Sequence, residues 1–293
     1  QLLDASKKKA QRRKKFEMMK IVMIGSDNIA THLAKALYAS NNVILQVYSP
    51  PIANAQALAS VVDSHAMSSL EEVNLKADIY LIAIKDDAIS NLVDQLPKSL
   101  QGIVVHTSGA TSIEVLSSFK RYGVIYPPQS INKNIKTDLS LIPFGIESDS
   151  SHTYDQLYGL ISAISPKVFA CQTSQRLALH LSAVLVNNCS NALFQMAEDI
   201  LNREHLSFDL LKPIILETAE KVQSHTPRET QTGPARRGDY DIIDKHLHFL
   251  TQYPEEHKIY QLLSDFIVSK VLPKILPNSF SRSFVLLLVR III

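Results

Sequence analysis

The chain has 293 residues, 46% of them hydrophobic and 20% charged, which is room for two domains with their own cores and an ordinary composition for a globular protein. Its formal charge of +2 is unevenly spread: residues 1–15 hold seven Lys or Arg against Asp4, so the rest of the chain nets −4. A mildly acidic body argues against broad electrostatic binding of nucleic acid, and two cysteines, Cys171 and Cys189, with no metal spacing or disulfide framework fit a reducing cytoplasm.

The basic run KKKAQRRKK, residues 7–15, reads as a solvated tail or as sequence ahead of a start at Met18 or Met19, so residues 1–17 stand outside the fold. KIVMIGS, residues 20–26, is a short apolar β-branched run of the kind a buried parallel strand needs. NIATHLAKALYAS, residues 28–40, follows with Ile29, Leu33 and Leu37 at helical spacing. VILQVYS, residues 43–49, is a second strand, and PPIANAQALASVV is a helix opened by prolines. ADIYLIAIKDD, residues 77–87, and GIVVHTSGA, residues 102–110, are two more buried strands, followed by the helical patterns AISNLVDQL and SIEVLSSF. GVIYPPQSI, residues 123–131, is a strand running into a proline turn, and LIPFGIES closes this unit near residue 150. Strands alternating with helices predict a parallel sheet with crossover connections. From Tyr154 the periodicity is helical over 154–164, 174–202, 207–223, 240–252 and 256–272, with breaks at PRETQTGP and TQYPEE. The final FVLLLVRIII, ten residues with Arg290 inside, is about half a membrane span and is left out of the fold. The expected architecture is therefore α/β: a Rossmann-type sheet over residues 18–150 and an all-α domain over 151–272, with an uncertain tail over 273–293.

A dinucleotide fingerprint needs G-x-G-x-x-G/A between the first strand and helix. Here it reads Gly25-Ser26-Asp27-Asn28-Ile29-Ala30. The first and third positions fit. The second is Asp27, whose carboxylate opposes a pyrophosphate at a helix N-terminus, or simply caps the helix. The second strand ends Tyr48-Ser49-Pro50-Pro51, without the carboxylate that holds the ribose hydroxyls of NAD. Ser49 suits a 2′-phosphate, which leans the reading toward NADP with NAD still open, or it is an ordinary turn residue. Other strand ends on the same edge carry Lys85-Asp86-Asp87, His106-Thr107-Ser108-Gly109 and Pro127-Pro128-Gln129. Lys85, His106 and Ser108 are taken as cofactor contacts, although Asp86, Asp87, Thr107 and Ser108 also suit helix capping.

In LHLSAVLVNNCSNALFQMAEDIL, α-helical spacing puts His180, Asn187 and Asn191 near one face of an otherwise apolar helix. On a buried face such polar groups need a partner, a ligand or water. His180 is the ionisable member, suited to proton transfer or to a hydrogen bond in the core. In the loop QTGPARRGD, residues 231–239, Thr232 or Gly233 ends the loop, Pro234 starts a helix, and Arg237 is set to meet a carboxylate or phosphate, or a neighbouring acid.

QTGPARRGDYDIIDKHL, LHLSAVLVNNCSNALF, VHTSGA and IYPPQS resemble segments of bacterial Rossmann-like proteins labelled as NADP oxidoreductases that carry a helical C-terminal domain of unknown function. The resemblance spans about Met19 to residue 265. By fold that group is similar to pyrroline-5-carboxylate reductases and 6-phosphogluconate dehydrogenase-like enzymes, in which a helical domain dimerises and closes the active site. It implies a glycine-rich turn at Gly25 and Ala30, with Asp27 and Pro50 departing from the usual Gly and Arg. His180, Asn187 and Asn188 match the group's pattern. The lysine used by hydroxyacid dehydrogenases is absent from this helix. The expectation is a cytoplasmic homodimer that binds neither nucleic acid nor membranes and transfers hydride to a small C=O or C=N substrate, one bearing a carboxylate if Arg237 contacts it. His180 is the proton donor, Asn187 and Gln231 position substrate, and no metal is expected. The alternative is an inactive dimeric protein that binds a nucleotide or metabolite.

Overall fold

A computed structural model describes residues 18–130 and 137–271, so the basic run before residue 18 and the apolar tail from 273 lie outside the described residues. Those described form two compact units, one up to Asn191 and one from Ala192.

In the first unit, β1 (Lys20–Ile24), β2 (Val43–Tyr48), β3 (His65–Met67), β4 (Ile79–Ile82), β5 (Ile103–His106), β6 (Tyr122–Tyr126), β7 (Phe144–Ser148) and β8 (Val168–Ala170) make one sheet, in the order β3-β2-β1-β4-β5-β6-β7-β8. The strands read as apolar runs because both faces are covered. Ile21 and Met23 of β1 point into one core, with Leu33 and Leu37 of α1 (Asn28–Ala39) and Leu157 and Leu160 of α4 (Ser151–Ser162). Val22 and Ile24 point into the other, with Ile89, Leu92 and Val93 of α3 (Asp86–Gln95). That period-two division gives three layers, helix on sheet on helix. The helix α2 (Ile52–Ala59) joins the first core through Ala55, Leu58 and Ala59.

Three local readings change. SIEVLSSF forms only a 3-10 turn, Ile113–Leu116. β7 runs antiparallel to β6, and among the described residues their link holds only the short 3-10 turn Leu139–Leu141, not the crossover helix that a parallel return needs. The short strands β3 and β8 were not anticipated; three residues are too few to show a period, and β8 lies between the stretches read as helical, 154–164 and 174–202, within the region expected to be all-α.

α5 (Thr173–Val184) passes through a π turn, Leu185–Cys189, into α6 (Ser190–Arg203). The second unit continues with α7 (Lys212–Ser224), α8 (Pro227–Thr230), α9 (Pro234–Arg237), α10 (Tyr240–Phe249) and α11 (Pro254–Val271). Its small core joins Ala235, Ile243 and Val268.

Candidate active site

The strand order reverses between β1 and β4, where an open α/β sheet leaves a crevice at the carboxyl ends of its strands. Gly25 turns the chain there with φ +121°, and a Cβ on it would lie 2.1 Å from the Ala83 carbonyl oxygen. Only glycine fits, both for the dihedral and for the close approach to the end of β4. Its N–H donates to the Tyr48 carbonyl at 2.9 Å, the Ser26 and Ser49 hydroxyls meet at 3.1 Å, and Thr31 Oγ1 donates to the Ser26 carbonyl. Asp27 takes the N-cap position of α1, Asn28 and Ile29 open the helix, and Ala30 is fully buried against the sheet. The turn therefore leads directly from β1 into α1, with Asp27 at the helix N-cap. Lys85, exposed, is the N-cap of α3, and Asp86 and Asp87 fill that helix's first turn, where acids suit the helix dipole.

Beside this crevice, at the ends of β5 and β6, a polar node ties the sheet to α5. Arg176 is completely buried. One guanidinium nitrogen, Nη1, donates to the carbonyls of Ser108 (3.0 Å), Gly109 (3.2 Å) and Thr111 (2.7 Å). The other, Nη2, donates to Glu147 Oε2 at 2.8 Å and to Thr173 Oγ1 at 3.2 Å. Glu147 Oε1 accepts from both the backbone N–H and the hydroxyl of Thr173. The planar fork of arginine satisfies the loop after β5 and the carboxylate of β7 together, which an ammonium cannot do.

One helical turn later His180 lies over Gly109: a Cβ there would be 2.6–2.8 Å from Nδ1, Cγ and Cβ of the histidine. Its Nδ1 is 3.1 Å from the Tyr126 hydroxyl, and the two rings meet edge to face at 5.9 Å. Burial, then the Asp86 carboxylate, push the Tyr126 phenol above its ordinary pKa, with the Arg176 charge opposing.

His106 does not face the crevice. It is completely buried, and its Nδ1 accepts the Ser108 N–H at 3.2 Å. Burial, then the Arg176 charge, hold its pKa down at about 4, against a smaller opposite effect of the Ser112 backbone. Its expected contact with cofactor is therefore corrected: it shapes the loop from within. Ser108 is also buried, its hydroxyl accepting from the N–H groups of Ala110 and Thr111. It holds a loop turn and caps no helix, the cap of the following 3-10 turn being Ser112.

The stripe also needs correction. Asn187 and Asn191 are exposed, so the premise of a buried face does not hold for this chain by itself. The π turn takes up one extra residue, so each later side chain takes the angular place that α spacing gives to the residue before it. Asn188, not Asn187, follows His180 along that face. In the second unit, Pro234 does open a short helix after Gly233, and Gly238 ends it at φ +74°. Arg237 pairs with Asp239 at 2.6 Å, the neighbouring-acid outcome, so a substrate carboxylate would have to displace that partner. Gln231 is exposed, its amide donating to the Thr232 carbonyl. Among the described residues no His, Cys, Asp and Glu cluster could hold a metal.

Residues 142–267 match the family described as a domain of unknown function (DUF2520), and residues 4–131 match a Rossmann-like domain. A protein of Bacteroides fragilis, described provisionally as an NADP oxidoreductase, is 36% identical, with TM-score 0.76, over 87% of this chain and 99% of its own. The chain belongs to this family of Rossmann-like proteins with a DUF2520 domain. Fold alone is shared with an imine reductase of Myxococcus stipitatus in complex with NADP+ (14% identity, TM-score 0.59, 87% of this chain and 93% of that one). The same holds for a reductive aminase of Aspergillus terreus in complex with NADPH and ethyl-5-oxohexanoate (12%, TM-score 0.66, 87% and 95%). No curated protein matches. In this DUF2520 protein sequence reasoning passed over Arg176 and Tyr126. Arg176 had a usable signal, a lone charge four residues before His180 on the same helical face. Tyr126 had none, because its partner is 54 residues away.

Proposed function

We propose that the protein is an NADP-dependent oxidoreductase that reduces a small C=O or C=N compound, with His180 as proton donor. The observation that carries this reading is His180, seated on Gly109 and bonded to Tyr126, at the same carboxyl edge of the sheet as the Gly25 turn. Support comes from the family's NADP oxidoreductase description and from fold neighbours solved with NADP+ and NADPH. Gly25 to Ala30 would hold the pyrophosphate, with Ser49 and Lys85 toward the ribose phosphate. A reduced nicotinamide bound there would supply hydride. His180 would supply the proton; Asn188, which the π turn puts in the place expected of Asn187, and Gln231 are proposed to position substrate. Two free cysteines suit the cytoplasm, and a second copy of the chain is the proposed partner.

The test is titration of NADPH and NADH into the full chain, followed by nicotinamide fluorescence, and then turnover with ketones and imines. Micromolar NADPH binding is expected, and His180→Gln should lower turnover at least about tenfold without loss of fold. Unchanged turnover in that variant removes His180 from the chemistry. Asp27 favours a second reading, a dimeric nucleotide- or metabolite-binding protein without turnover. Absence of nicotinamide binding in the wild type, restored by Asp27→Gly, would give that reading the lead.

A further inference from the structure

We infer that Tyr126 fixes the tautomer of His180, so that the imidazole presents Nε2–H outward and the ligand atom held there is a hydrogen-bond acceptor. The inference rests on the reading of His180 as the group that meets substrate, and it goes further by stating what kind of atom the substrate must offer to the neutral ring; the ring gives up a proton only from its doubly protonated imidazolium form.

A neutral imidazole carries one proton, and the bond made by one ring nitrogen decides which nitrogen holds it. Among the described residues the Tyr126 hydroxyl has one partner, His180 Nδ1 at 3.1 Å. Tyr126 is itself buried, 5% exposed, which limits the solvent its O–H can reach. Burial and Asp86 keep the phenol protonated. If Nδ1 carried the proton, it would donate to the phenol oxygen, and the phenol O–H would be left without an acceptor among the described residues, the costly arrangement. With the proton on Nε2, the phenol donates to the Nδ1 lone pair and both groups are satisfied. The ring cannot flip to exchange its nitrogens without breaking that bond, and the Gly109 backbone, with no room even for a Cβ, holds its face.

His180 is half-buried, and its other ring nitrogen, Nε2, is then a donor. It suits a carbonyl oxygen or an unprotonated imine nitrogen, each of which has a lone pair to offer. It does not suit an ammonium or an iminium N–H at that point. Tyr126 acts through His180 and is a positioning residue.

The experiment is nitrogen-15 NMR of the histidine rings in the full chain, with His180→Gln used to assign the signals, in the wild type and in Tyr126→Phe. In the wild type Nδ1 of His180 should be the unprotonated nitrogen and Nε2 the protonated one, favoured about tenfold or more. In Tyr126→Phe the two tautomers should interconvert as a mixture. A protonated Nδ1 in the wild type, or an unchanged spectrum in Tyr126→Phe, overturns the inference. The wild-type spectrum decides even if Tyr126→Phe does not fold. Because the spectrum is read without cofactor, failure of nicotinamide binding would count against the proposed function and leave this result standing.

Discussion

At the scale of single residues, His106 makes acid stability a readout of the loop after β5. Its pKa is held at about 4 in the fold, first by burial and then by the Arg176 charge, against about 6.5 in an unfolded chain. The folded state therefore keeps the ring neutral while the unfolded state takes up a proton as pH falls below 6.5. The stabilisation is fully present above pH 6.5 and is lost progressively down to about pH 4, about 3 kcal/mol in all. His106→Asn, whose amide oxygen can still accept the Ser108 N–H, should flatten this part of the stability curve. Urea unfolding at a series of pH values between 7 and 4 measures it, and an equal slope in both proteins would refute the assignment. Sequence placed His106 on the right edge of the sheet, because a strand of apolar residues ending in His can be read directly. It could not show that the ring turns inward, since that depends on Arg176 arriving 70 positions later. Gly25 and Ala30 were readable for the opposite reason: their constraints are local to one turn.

At the scale of elements, Arg176 and Glu147 join α5 to β7 and to the loop from Ser108 to Thr111. Replacing one partner of a buried pair leaves the other charge uncompensated, at about 3–5 kcal/mol. Arg176→Met should lower the urea midpoint accordingly while the denaturant slope is kept, because three loop carbonyls and Glu147 lose their donor together. Arg176→Met combined with Glu147→Leu should recover part of the loss, since no buried carboxylate remains. A cost below about 1 kcal/mol for the single change would mean that water replaces the guanidinium. The strands on either side of this clamp were legible as apolar runs, and the helices as three-to-four spacing. The π turn was not: LVNNC has no side chain that demands an extra residue, and only the hydrogen-bond slip in the folded backbone reveals that Asn188 has taken Asn187's place on the His180 face.

At the scale of the whole molecule, the apolar surface asks for a partner. From Ala192 on, the described residues bury few apolar side chains, Ala235, Ile243, Leu250 and Val268, too few for an independent core. Upstream, α5 and the π turn expose Leu177, Leu181, Leu185 and Val186, the last at 76%. By length and composition the helix from Thr173 to Arg203 would suffice to cross a membrane. Arg176 near its start is nonetheless satisfied by β7 and the β5 loop, and His180, Asn187, Asn188 and Asn191 interrupt its apolar surface, a mixture that suits a protein interface better than lipid. The proposed second copy would cover it. A stable interface buries roughly 1,200–2,000 Å² in total, so light scattering at micromolar concentration should give twice the chain mass. Leu181→Glu with Val186→Glu should halve that mass and leave the far-ultraviolet circular dichroism of the sheet and helices unchanged, because both side chains already face outward. A wild-type protein of single-chain mass would remove the dimer, and a wild type that partitions into lipid vesicles would favour the membrane instead. If the dimer holds, activity should fall with the mass in the double variant, since the surface that would be exposed again continues directly from His180.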